Sequence, residues 1–202
     1  LILGALALLL LGPAPSRALK VTSPADGEHF SSGSGNVHVA WTGAGGAAAV
    51  VSRDDLAGAD AIRLLAGAWE TDSSANGLCE GDTSSDELDM RTDSEALLAA
   101  GVGLAQRCWG RFKVESGWGE TTPDRIITHQ VGRRHSSLLF ERLGLDPAKD
   151  YQSFDRLGNV GSVSLPATLA LARAEGRVRR GDKAALLGIG SGLASLMLAV
   201  EC

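Results

Sequence analysis

Apolar residues recur every third or fourth position from Leu97 onward. Leu97, Leu98, Gly101, Leu104, Ala105, Cys108, Trp109 and Phe112 fall on one stripe, and this spacing predicts a long helix ending near Ser116. Thr92-Asp-Ser-Glu95 stands ahead of it and reads as a capping box. Helical spacing returns at Ser136–Leu143, with Gly144 as the stop, and again after Ser164-Leu-Pro166, where a first-turn proline is tolerated. That last helix should end near Gly176. Apolar runs of strand length lie at Ala47–Val51, Ala61–Trp69, Arg125–Thr128, Ala184–Ile189 and Leu193–Val200. Between them, Thr71 to Asp89 is polar and irregular, long enough for a functional loop. Strands alternating with helices predict a layered α/β fold with a mixed, mostly parallel sheet.

The first forty residues follow another pattern. Leu1 to Gly12 is an unbroken apolar run, too short to span a bilayer as a helix. With Ser-Arg-Ala at 16–18 it reads as a signal-like segment over residues 1–19, which would make the chain secreted or membrane-anchored. Residues 20–41 combine turn chemistry at Ser23-Pro-Ala-Asp-Gly27 with strand alternation at Val37–Trp41, similar to the opening strands of immunoglobulin-like modules. The change of pattern between Val37 and Gly46 predicts a junction of unlike segments: a fusion, a truncated gene or a mis-joined frame.

Composition narrows the function classes. The chain has 202 residues and a net charge of −5, so it carries no basic field for nucleic acid. Glycine reaches 26 residues, well above the usual share, which favours tight turns and close backbone approaches. Three widely spaced cysteines with no CxxC argue against a disulfide framework or zinc ribbon. No metal-ligand spacing and no P-loop occur, and no cofactor is expected.

Three places could carry chemistry. His129 ends an apolar strand, Asn159 lies in Gly158-Asn-Val-Gly161 ahead of a helix, and Gly188-Ile-Gly-Ser-Gly192 separates two apolar runs. A neutral imidazole and a carboxamide each donate N–H groups. Two such donors aimed at one oxygen make an oxyanion hole. Glycines in the third motif would let backbone N–H groups approach a second oxygen. Each place also has a plainer reading: a structural histidine, a turn asparagine and a tight packing motif. Cys108 on the helical stripe reads as a core thiol.

Ile127-Thr-His-Gln-Val131, Asn159 in GNVGSVSLP and GDKAALLGIGSGL at 181–193 together resemble the C-terminal half of β-ketoacyl-acyl-carrier-protein synthase III enzymes, in the thiolase superfamily. The resemblance covers residues 42–202. Gly132, LGLDPAKDY and LLGIGSGL look like the long-chain branch that condenses two fatty acyl-CoA molecules head to head at the start of olefin synthesis. It implies a thiolase-like half-domain and an acyltransferase performing Claisen condensation of fatty acyl-CoA or acyl-carrier-protein thioesters. It also implies a homodimer and a cytoplasmic location. His129 and Asn159 would be two members of a Cys-His-Asn site, and Gly190 and Ser191 would lie beside the nucleophile. The family's nucleophilic cysteine belongs to an N-terminal half, and none of Cys79, Cys108 and Cys202 occupies its motif. The resemblance therefore implies a portion inactive alone. The alternatives are a non-enzymatic acyl-binding remnant and a secreted fusion protein.

Overall fold

A computed structural model describes residues 61–82, 89–190 and 192–202, with two short strands further upstream. Those strands, β1 (Val21–Thr22) and β2 (His29–Phe30), pair antiparallel. The expected signal-like segment 1–19, the alternation at 37–41, the strand at 47–51 and the junction at 37–46 lie outside the described residues.

The main sheet contains β3 (Arg63–Thr71), β6 (Arg125–Thr128), β7 (Lys183–Gly190) and β8 (Ala194–Glu201), in the order β3-β8-β7-β6. A small hairpin, β4 (Cys79–Asp82) with β5 (Asp89–Thr92), stands apart from it. The sheet is mixed, as expected, but a parallel majority is not found. β3–β8 and β7–β8 are antiparallel, and only β6–β7 is parallel. The reason lies in chain length. Residues 191–193 alone connect β7 to β8, whereas a parallel crossover needs a dozen residues or more.

α1 (Ser94–Ser116) crosses one face of the sheet beside α2 (Arg133–Leu143). Its predicted stripe is the buried side: Leu104, Cys108 and Phe112 are fully enclosed. Trp109 stacks on Phe112 with ring centroids 5.0 Å apart, and Trp118 meets Phe112 edge-on at 6.0 Å. Such offset and edge contacts suit the aromatic quadrupole. Cys108 is a core thiol, as expected, and its Sγ lies 3.5 Å from the Ala68 carbonyl.

The helix start differs from the expected capping box. Asp93, not Thr92, is the cap, and its carboxylate accepts from the Ala96 N–H at 3.0 Å. Thr92 is committed to the hairpin, paired with Cys79, and its hydroxyl points at Cys79 Sγ. The expected loop from Thr71 to Asp89 also holds structure, a 3-10 turn at Ser73–Leu78 followed by the β4–β5 hairpin. α2 starts three residues earlier than its spacing suggested and ends at Gly144, whose φ of 67° is a conformation glycine adopts without strain.

The opposite face is covered by α4 (Ser164–Ala174), which the short α3 (Phe154–Leu157) precedes in the chain. Here Ile127, Ala172, Ala184, Leu186 and Val200 form a second, mainly aliphatic core. Among the described residues, no helix is long and apolar enough to cross a membrane.

Candidate active site

Parallel pairing of β6 and β7 brings two sequence motifs to one rim of the sheet. Thr128 is in register with Leu187, and the His129 N–H donates to the Leu187 carbonyl at 2.8 Å. The His129 carbonyl then accepts from Val131 at 3.0 Å. Both bonds fix the backbone where the strand ends, so the imidazole is carried by a rigid element.

His129 is shared by the walls of two pockets. One is mainly apolar and includes His135, Leu139, Gly188 and Met197. The other includes Gly132, Ser136, Gln152 and Phe154, and neither has room for more than about a water molecule. Among the described residues no hydrogen bond reaches either ring nitrogen. Burial, with a smaller contribution from the neighbouring His135, pushes the His129 pKa down to about 4; burial also lowers His135. His129 is therefore neutral at physiological pH, with one donor and one acceptor nitrogen. His135, which lacked metal-ligand spacing in the sequence, faces the same pocket. Among the described residues no cluster of three potential metal ligands occurs.

Asn159 occupies the connection between α3 and the 3-10 turn Gly161–Val163 that leads into α4. Its Oδ1 accepts from the Gly161 N–H at 3.0 Å and from Ser164 Oγ at 3.5 Å. An oxygen held by two donors fixes the orientation of the amide and leaves the NH₂ group as the donating end. Asn159 is exposed and lines neither pocket, and no hydrogen bond joins it to His129.

Within the glycine motif, tight packing falls on one position. Gly190 is exposed, and a Cβ there would meet nothing within 4 Å. The close approach is at Gly188, where a Cβ would come to 3.2 Å from the Leu196 carbonyl oxygen and 3.5 Å from Leu165. Ser191 lies outside the described residues.

Two residues of the site had no assigned role in the sequence. Gln130 is buried at 4% exposure and ties Thr128 to the start of α3. Asp150 accepts from Gln152 at 2.7 Å through Oδ2, while its buried Oδ1 has no partner; burial raises its pKa. A polar residue alternating into an apolar run was the available signal for Gln130. Asp150 gave none.

Residues 114–202 match the model for the 3-oxoacyl-[acyl-carrier-protein (ACP)] synthase III C terminal. An acyl-CoA:acyl-CoA alkyltransferase of Xanthomonas campestris is 40% identical over 152 residues, covering 75% of this chain and 43% of the relative. The Shewanella oneidensis protein of the same name is 41% identical over 112 residues, covering 55% and 32%. A solved Xanthomonas campestris OleA variant with bound lauric acid and lauroyl-CoA is 37% identical. It superposes with a TM-score of 0.65 over 71% of this chain and 41% of that one. The chain thus spans less than half the length of these relatives.

Proposed function

From a chain whose residues 114–202 match the model for the 3-oxoacyl-[acyl-carrier-protein] synthase III C terminal, we propose the oxyanion-stabilising portion of an acyl-thioester condensing enzyme. In that reaction one fatty acyl thioester loses an α-proton to a base, its α-carbon attacks the thioester carbonyl of another, a C–C bond forms, and a thiolate leaves. Negative charge gathers on a thioester oxygen as the α-carbon becomes nucleophilic. His129 and the Asn159 NH₂ group are the donors assigned to that oxygen, and backbone N–H groups around Gly190 and Ser191 serve the second one. Donors of this kind contribute most where water is excluded.

The observation that carries this reading is the neutral His129 imidazole, without a hydrogen-bond partner among the described residues, held at a rigid strand end between two pockets. Substrates of fatty acyl-CoA or acyl-carrier-protein type, and pairing with a second copy, belong to the same proposal.

Two of the chain's three thiols, Cys108 and Cys202, favour a second reading for the isolated protein, acyl binding without turnover. Burial raises the Cys202 pKa to about 11 and also raises Cys108, so neither supplies a thiolate near neutral pH. The proposal places the attacking thiolate in a separate segment. One experiment with two arms tests both readings. The chain alone, given radiolabelled myristoyl-CoA, is expected to take no covalent label. Produced together with the cysteine-bearing half of the Xanthomonas campestris relative, it is expected to condense myristoyl-CoA, and His129→Ala should lower the rate roughly 10²–10³-fold. Condensation untouched by His129→Ala would remove that residue's role. Labelling of the chain alone would show that it supplies its own nucleophile.

A further inference from the structure

Gln130 follows His129 in sequence, yet its side chain turns into the protein and becomes one end of a row of buried hydrogen bonds. Nε2 donates to the Thr128 carbonyl at 2.8 Å, and Oε1 accepts from the Ser153 and Phe154 N–H groups at 3.0 Å each. Ser153 Oγ lies 2.6 Å from Thr168 Oγ1, and Thr168 Oγ1 donates to the Ser164 carbonyl at 2.6 Å. A hydroxyl has one proton, so Ser153 must be the donor to Thr168. Ser164 Oγ accepts from the Val160 N–H at 3.1 Å and faces Asn159 Oδ1. Ser153, Ser164 and Thr168 are each at most 1% exposed. The row therefore runs from the residue beside His129 to the residue assigned as its partner.

Polar groups this deeply buried are costly unless each has a partner, so their geometry is strongly determined. The Asn159 loop has little apolar anchoring of its own: Asn159, Gly161 and Ser162 are exposed. Its attachment to the body runs through Ser164. We propose that Gln130 is a positioning residue, which sets the Asn159 loop against the His129 strand end through Ser153, Thr168 and Ser164. This rests on reading His129 and Asn159 as oxyanion donors, because only then does their relative placement govern the reaction. Gln130 touches no reacting atom; it acts through the other residues of the row.

The test uses the full 202-residue chain and amide ¹⁵N relaxation. Gln130→Met keeps the length of the side chain and removes its polar atoms. Order parameters at Val160 and Gly161 are expected to fall from the rigid range, about 0.85, to below about 0.6, while those at Cys108 and Phe112 in α1 stay unchanged. Gln130→Glu keeps an oxygen for the two N–H groups and is expected to restore loop order. Thr168→Val cuts the same row at a second link and should mobilise the same residues, so it decides the matter if Gln130→Met does not fold. An Asn159 loop that stays ordered in the folded variants overturns the proposal and leaves the acyl-transfer reading standing. Condensation unaffected by both His129→Ala and Asn159→Ala in the assembled enzyme removes that reading, whatever the loop does.

Discussion

The two faces of the sheet are packed by different chemistry. On the α1–α2 face the core is large and aromatic, with Trp109, Phe112, Trp118 and Phe140 gathered against Met197 and Ala199. On the α4 face the core is aliphatic, with Tyr151 its one aromatic ring, and it lies beside the hydroxyl row that begins at Gln130. Apolar burial is non-directional and scales with area, so the first face supplies stability without specifying where a loop must sit. Hydrogen bonds in a buried row are directional, and each depends on its neighbours. The second face therefore specifies positions at a modest gain in stability.

The strongest way to break this contrast is to damage the aromatic face. Phe112→Ala removes a fully buried ring touching two tryptophans and is expected to cost about 3–5 kcal/mol in denaturant unfolding. The loss should be global, lowering protection of β8 and α4 alike.

Acid distinguishes the rim from both cores. The folded His129 pKa of about 4 lies below the usual value of 6.5, so between those pH values the unfolded chain binds a proton that the folded chain refuses. Stability should fall as pH drops through that window, by on the order of 3 kcal/mol from His129 at its lower end. His135 adds in the same direction, while Asp150, with its raised carboxyl pKa, opposes it at the acid end. Unfolding free energies measured from pH 7 to 4 should show a shallower acid limb in His129→Asn than in the parent chain.

A smaller effect sharpens the comparison from the polar side. Thr168→Val preserves shape but leaves the Ser153 hydroxyl without an acceptor and removes the side-chain donor to the Ser164 carbonyl. A cost of about 1–3 kcal/mol is expected, confined to α4 and its flanking loop when followed by hydrogen exchange.

Much of the fold was legible because periodicity reports burial directly. The stripe from Leu97 to Phe112 and the apolar runs of β7 and β8 are legible as elements, since the helix presents one face to a core and the two strands are buried on both faces. Strand direction was not legible from that pattern, because side-chain alternation is the same in parallel and antiparallel ladders. The three residues separating Gly190 from Ala194 held that information. Thr92 was taken for the cap because serine and threonine favour that role, but its strand pairing with Cys79 takes precedence and passes the role to Asp93. His129 stood out as a polar residue closing an apolar strand. The sequence offers Gly188, Gly190 and Gly192 alike for close backbone approach, and nothing in it shows that the Leu196 carbonyl crowds Gly188 in particular. The Gln130 row joins residues up to 38 positions apart, and nothing local marks its members as partners.

The parallel pairing of β6 with β7 has one more consequence. Both strands discharge their chains toward the same side, so the segments following Thr128 and Gly190 can lengthen, shorten or change composition without disturbing the ladder beneath them. Such an arrangement separates the rim, where chemistry-bearing residues sit, from the ladder that holds the scaffold.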